Sequence, residues 1–412
     1  MLLLPASERS LNKLFAGDAL GTVIDQLVLL AMPTLALTVA GLGAAQVSVL
    51  TASQWMPAVL LGNRFGALAD ARDRRVVLGT AGLMSCAGAA AMAFVAQVDP
   101  SLRLAWLLAA SLLFAAGGTL HAVASAASVP RLAVDVAIPE AVSAQACVRN
   151  VARIAGLALA GPAVQCLGAI SGVLAAAVFS LAKSFVARSI PESASDESVR
   201  KMAMQDTRSA WRISLTNRIL RRLLIANATM NAGGAMVVGA FFAFAYDVVR
   251  VSPFSVGVML FVGGSSAILA SRRTGRLMAR FPARSLCTAT GLTAGAAVWL
   301  VPASAWLPTL PTLFVYEALF SAAATVFAIS FAVVRQRLVP SHLLGKLVAV
   351  SSTSAAAAMV AGSLVGALLI DRAGLLVAIC AGCAFSSAGA MSLIGLARTD
   401  EDADLREAAA TP

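Results

Sequence analysis

The sequence predicts an all-α membrane protein with twelve transmembrane helices in two pseudo-symmetric six-helix bundles. Three observations carry that prediction. The 412 residues are 59% hydrophobic and 12% charged, with a mean hydropathy of +0.85, where a soluble domain carries about 25% charged residues. Apolar runs recur at about 20 residues, the length that crosses a bilayer core as a helix. The basic residues collect in alternate connections between those runs, as the charge asymmetry of a multi-span chain requires.

The expected spans are 15–40, 43–63, 76–97, 104–128, 144–166, 168–187, 218–245, 253–271, 286–306, 311–333, 347–370 and 373–396. The fifth and sixth almost touch, so a tight outer turn must join them. The opening MLLLPASERS does not read as a signal peptide, because it has no basic start and its apolar run, Leu2 to Leu4, is short. The longest polar stretch, Arg188 to Asn217, divides the chain. The expected organisation is a bundle over 1–187, a cytoplasmic linker over 188–217, a second bundle over 218–396 and a cytoplasmic tail over 397–412.

Charge sets the orientation. With both termini in the cytoplasm, the outer loops hold only Arg103, Arg250 and Arg372 of the 31 Lys and Arg residues, each near an aspartate (Asp99, Asp247, Asp371). The expectation is a multi-pass protein of a bacterial inner membrane, embedded in the lipid bilayer as a monomer. The net charge of +11 follows from this distribution and calls for no nucleic-acid partner. The six cysteines all lie in apolar segments. Cys380 and Cys383 form a CxxC, but no histidine or second cysteine pair accompanies it, so packing explains it better than a metal.

The halves echo each other. GALADARDRRVV (66–77) follows the second span and GRLMARFPARSL (275–286) follows the eighth. Ile138-Pro139-Glu140 precedes the fifth span and Val339-Pro340-Ser341 the eleventh. Parallel six-helix repeats are a plan of secondary transporters, with the substrate site near mid-membrane.

The order Gly66-x-Leu68-x-Asp70-x-x-x-Arg74-Arg75, placed between the second and third of twelve spans, resembles the signature loop of the major facilitator superfamily. The resemblance covers nearly the whole chain. More narrowly, Asp25 in IDQLVLLAMPTLAL, IPEAVSAQACVRNVARIAGLALAG (138–161) and LVPSHLLGKLVAV (338–350) are similar to the drug and siderophore exporter branch that includes enterobactin and macrolide exporters. The resemblance implies that Gly66, Asp70, Arg74, Arg75 and Arg153 belong to an inner latch. Asp70 would act against the start of the eleventh span, near Leu347. The alternative is that these charges only set topology. There are departures. Ala279 stands where the second loop would carry its acid. The family's arginine in the fourth span has no match in SLLFAAGGTLHAVAS, and Gly161-Pro162 is displaced by about a turn from the antiporter position.

Ionisable residues inside spans are functional candidates, because hydrocarbon disfavours charge. Asp25 lies near the middle of the first span, with Asp18 seven residues earlier on the same face. Glu317, next to Tyr316, lies in the tenth span and His121 in the fourth. Asp25, Glu317, Tyr316 and His121 form the expected proton-coupling and substrate set. Each also has a plain packing or hydrogen-bonding reading. Arg149 and Arg153 share a face at the inner end of the fifth span. Gly362 and Gly366 form a GxxxG that close helix packing explains.

The function expected is secondary active export of a small organic molecule, driven by protons. Import or facilitated passage is the alternative, and a non-transporting receptor a third reading. No GxxxxGK[ST] loop is present for ATP. With two histidines, His121 and His342, in separate places, no catalytic constellation forms, and neither an enzyme nor a cofactor is expected.

Overall fold

The computed structural model describes residues 9–132, 138–190, 207–339 and 341–396. These fold into thirteen α-helices: α1 (Arg9–Thr38), α2 (Ala44–Ala71), α3 (Arg74–Ala93), α4 (Arg103–Leu132), α5 (Ile138–Arg188), α6 (Thr207–Thr216), α7 (Arg218–Ala243), α8 (Pro253–Arg280), α9 (Ala283–Ala297), α10 (Leu300–Ala303), α11 (Thr309–Leu338), α12 (Ser341–Ala373) and α13 (Leu375–Met391). Nine helical segments among the described residues are long and apolar enough to cross a membrane, and α13 is a shorter apolar helix. Helices dominate for a physical reason: in hydrocarbon every backbone N–H and C=O needs a partner, and a helix supplies it internally.

The helix list differs from the twelve expected spans in identifiable places. The fifth and sixth spans run as one 51-residue element, α5, interrupted at Gly168 (φ 83°, ψ 165°). Neighbours show that the chain reverses there. Gln145 and Gly156, before Gly168, lie against Asp18 and Val23–Gln26 of α1. Gly172 and Lys183, after it, lie against Ala31 and Gly21. The first leg therefore runs parallel to α1 and the second antiparallel, which is the tight turn expected between those spans. The second difference is α6, a short helix within the stretch read as a linker. Its Trp211 and Ile213 pack on the buried cluster around Leu220, Leu223, Phe331 and Leu347. The short α10 is a third extra element, a single turn after α9.

The chain divides into two compact units, Met1–Ala203 with Arg250–Phe261, and Met204–Val249 with Val262–Pro412. In the first, α1 packs on α4 and on both legs of α5, and α3 packs on α4 and α5. In the second, α7 packs on α12 and α13, and α9 on α11 and α13. Pairings thus recur in order along the chain. Close approach is visible at Gly362, where an added Cβ would collide with the Ala232 backbone of α7, so the first glycine of the GxxxG serves packing.

Gly168 is the residue on which the reversal depends, since its φ and ψ are open to glycine almost alone. Gly168→Ala should lower stability in detergent by about 1–3 kcal/mol. Gly118→Ala in α4, where nothing lies within 4 Å of the added carbon, should leave stability unchanged or raise it. Thermal unfolding of the two variants beside wild type checks this, and equal behaviour would exclude the strained turn.

Candidate functional site

Unit 1 buries one carboxylate among donors from distant helices. Asp18, in α1, is 4% exposed. Its Oδ1 lies 3.0 Å from Nε2 of His121 in α4. Its Oδ2 accepts from Ser125 Oγ at 2.9 Å and from Gln145 Nε2 at 2.6 Å. Gln145 Nε2 also reaches Ser125 Oγ at 3.0 Å. His121, Ser125 and Gln145 are all buried. His121 and Ser125 are four apart on α4, so one helix face presents both, while Gln145 comes from the first leg of α5. With the carboxylate ionised and a proton on Nε2, both oxygens of Asp18 are satisfied. His121 Nδ1 then keeps a buried lone pair with no hydrogen-bond partner. It can take up a proton without displacing any existing bond.

Asp25 stands two turns further along the same helix face. Its neighbours Ile24, Leu27 and Val28 are buried, whereas Asp25 is exposed. Lys183, buried on the second leg of α5, interacts electrostatically with both Asp25 and Asp18, and Arg149 does so with Asp25 and His121. One buried cation thus stands within electrostatic range of both carboxylates, without a direct ion pair to either among the described contacts. No hydrogen bond of Asp25 stands among the described contacts of α1, so its carboxylate keeps its acceptor capacity.

In unit 2, Glu317 and Tyr316 are neighbours on α11. Ser321 Oγ donates to Glu317 Oε1 at 2.8 Å. Gly263 of α8 lies so close that a Cβ there would stand 2.8 Å from the Glu317 carboxyl carbon. Tyr316 is buried, with its ring 5.6 Å from that of Phe320. The four expected cavity residues therefore fall as His121 and Asp25 in unit 1, and Glu317 and Tyr316 in unit 2.

The signature loop is reduced to two residues. Arg72 closes α2 in extended conformation, its N–H bonding Leu68 O at 3.1 Å, and Asp73 caps α3 by accepting from Arg75 N at 3.0 Å. Asp73 Oδ2 also pairs with Arg75 Nε at 3.4 Å. Arg74 is buried, Gly66 has open space around it and Arg153 is exposed. The Asp70 side chain lies outside the described residues, as does that of His342. In the matching loop, α9 begins after Pro282 and tucks Arg284 inside in the way that α3 tucks Arg74.

Sequence reasoning missed Asp18 as the centre of the buried set and missed Ser125 and Gln145 altogether. The available signal was an aspartate on the same face as Asp25. Nothing in the pattern marks a serine or glutamine as its partner across more than a hundred residues. It also passed over Asp73, although an aspartate directly before a helix is a cap signal.

The comparisons with known proteins agree with this architecture. A comparison with curated protein sequences gives no match. Among solved structures, the nucleoside transporter NupG superposes with a TM-score of 0.74 at 13% identity, over 95% of this chain and 100% of that one. A bacterial homologue of the iron transporter ferroportin, in an inward-facing state, gives 0.74 at 15% identity over 95% and 99%. A D-xylose–proton symporter gives 0.72 at 13% over 93% and 97%. At such identities the likeness concerns the fold alone. The family model described as transmembrane secretion effector matches residues 26–411, and the chain accordingly belongs to that family, as a membrane transporter of the major facilitator type.

Proposed function

We propose that the chain is a proton-coupled exporter of a small organic molecule, of drug or siderophore type, working by alternating access. The observation that carries this reading is the pair of carboxylates on α1, one locked and one open, with Lys183 in electrostatic reach of both. Asp18 spends both oxygens on fixed donors, so it suits holding α1, α4 and α5 together. Asp25 is exposed on the same helix and can exchange a proton for a substrate cation. A carboxylate inside a membrane span is a functional candidate, because a charge there is costly unless it serves a purpose. His121, hydrogen-bonded to Asp18, joins Asp25 in this set as the partner that holds α4 against α1. In unit 2, Glu317 and Tyr316 are the residues we assign to the same task.

Export is supported by the family description, which speaks of secretion, and by the exporter-like segments around residues 138–161 and 338–350. The neighbours with solved structures include a sugar symporter and a nucleoside transporter, so import is the reading to be beaten. Twelve spans remain our count. Taking the segment Glu140–Arg188 twice, about Gly168, and adding α2 and α13 brings the nine apolar segments to twelve. The excess of basic residues supports a cytoplasmic position for both termini and the 188–217 stretch. Single cysteines at Asp99 and Ser195, in a background with Cys147 and Cys166 removed, should then label from opposite sides of spheroplasts. Labelling of both from outside would overturn the orientation.

Two variants test the coupling scheme in proteoliposomes with an imposed pH gradient, a trapped pH dye, and a panel of cationic dyes and siderophores. Asp25→Asn should abolish gradient-driven efflux while keeping passive exchange of the transported compound. Asp70→Asn should bind that compound normally but cycle slowly in both modes, because a latch near the inner surface acts on the balance of states. Full gradient-driven transport by Asp25→Asn would remove it from the coupling path. Wild-type cycling by Asp70→Asn would leave its loop a topology signal only. Accumulation against the gradient in the inward direction would establish import.

A further inference from the structure

Apart from the carboxylate site, unit 1 carries a groove of about 440 Å³ on its surface, between α3 and the second leg of α5. That volume falls within the range of small-molecule sites, roughly 300–1,000 Å³. One end is basic. Arg75 and Arg188 line it; Lys13, outside the lining, donates from Nζ to Ser189 O at 2.8 Å. Arg188 is held in place over the ring of Phe185, 5.3 Å from guanidinium carbon to ring centroid, an arrangement that stabilises a cation without hiding its donors. Asp73 offsets part of the Arg75 charge. Arg188 therefore sets the positive balance at this end.

The other end is apolar. Val76, Thr80 and Leu83 fall on one face of α3, and Val76 and Leu83 are 51% and 44% exposed. The second leg of α5 also exposes apolar side chains outside the lining, at Val178, Leu181 and Phe185. The groove exists because the two helices meet through small residues. A Cβ on Gly82 would stand 2.8 Å from Ser184 Cβ, and Ser184 Oγ donates to Gly79 O at 2.9 Å. The backbones come together on that line, and the side chains on either side of it splay to form a trough.

We propose that this groove binds an anionic glycerophospholipid from the surrounding leaflet. Arg75 and Arg188 take the phosphate and headgroup, and the acyl chains follow Val76, the Thr80 methyl and Leu83. Charge selects the lipid class: a phosphate with no compensating ammonium meets two guanidinium groups suited to its oxygens, whereas a zwitterionic choline headgroup brings its own cation against them. The trough lies between two helices of one unit, so the bound lipid braces α3 against α5. Basic pockets between membrane helices are suited to lipid headgroups. Under the orientation proposed above the leaflet is the cytoplasmic one, but binding itself does not depend on that orientation or on transport.

The test is native mass spectrometry of the whole protein in detergent, titrated separately with phosphatidylglycerol, phosphatidylcholine and inorganic phosphate. Wild type should retain phosphatidylglycerol adducts in preference to phosphatidylcholine and should show no phosphate adduct. Arg188→Gln should weaken the phosphatidylglycerol adduct roughly fivefold, the weight of one basic residue near an anionic headgroup. Leu83→Trp, which fills the trough and leaves every charge in place, should weaken it as well. Circular dichroism and size-exclusion profiles matching wild type verify that both variants fold. Equal retention by wild type and both variants, equal binding of the two lipids, or phosphate binding that competes with the lipid would each overturn the proposal.

Discussion

A carboxylate buried in a membrane helix must be met by donors, and the arrangement of unit 1 follows from how Asp18 meets that requirement. Its oxygens face His121 and Ser125 of α4 and Gln145 of α5 at 2.6 to 3.0 Å. A hydrogen bond to a charged group is worth about 1.5–3 kcal/mol, and stranding one partner costs more. Three helices far apart in sequence are thereby held in one register. That register sets the face of α1, and hence the open position of Asp25 and its relation to Lys183 on the second leg of α5. The chain lacks the arginine that its superfamily resemblance implies for the fourth span, and in α4 it is His121 that faces the acidic residue. A histidine can lose or gain the proton that an arginine keeps, so this pairing is suited to carrying a proton as well as to holding a helix.

Hydrocarbon constrains the rest of the fold in the same way. A chain crossing back and forth needs short, self-satisfied reversals. It makes them with Gly168 inside α5 and with Arg72 and Asp73 between α2 and α3, where Asp73 caps the next helix. Small residues then bring helices together, at Gly82 on Ser184 and at Gly362 on Ala232. In membranes close approach of this kind takes over much of the role that hydrophobic burial plays in water. Close approach also leaves troughs beside it, and the one between α3 and α5 is basic at one end and apolar at the other. Its shape follows from packing and its charge from the residues that mark the expected cytoplasmic side.

Much of this was legible in the sequence. Composition and the spacing of apolar runs identify a multi-span chain, and the near contact of the fifth and sixth spans announces the turn at Gly168. The order of residues from Gly66 to Arg75 points to the superfamily that the family comparison establishes. The site was legible only in part. Asp25, His121 and Glu317 stand out because charge is rare inside apolar runs. Ser125 and Gln145 do not, because such residues are common in helices and only the fold brings them to Asp18. The helix α6 was read as linker because ten polar-rich residues have no span-like pattern. Its Trp211 and Ile213 find their apolar partners only in the folded unit.

The central claim is a division of labour on α1, with Asp25 exchanging protons and Asp18 committed to its hydrogen-bond partners. Infrared difference spectroscopy of the reconstituted protein across a pH titration observes this directly, through the C=O stretch of protonated carboxyl groups. The account predicts a titrating carboxyl band in wild type that persists in Asp18→Asn and in Glu317→Gln but disappears in Asp25→Asn. A band that survives Asp25→Asn and disappears with Asp18→Asn would contradict it and move the proton to the buried site.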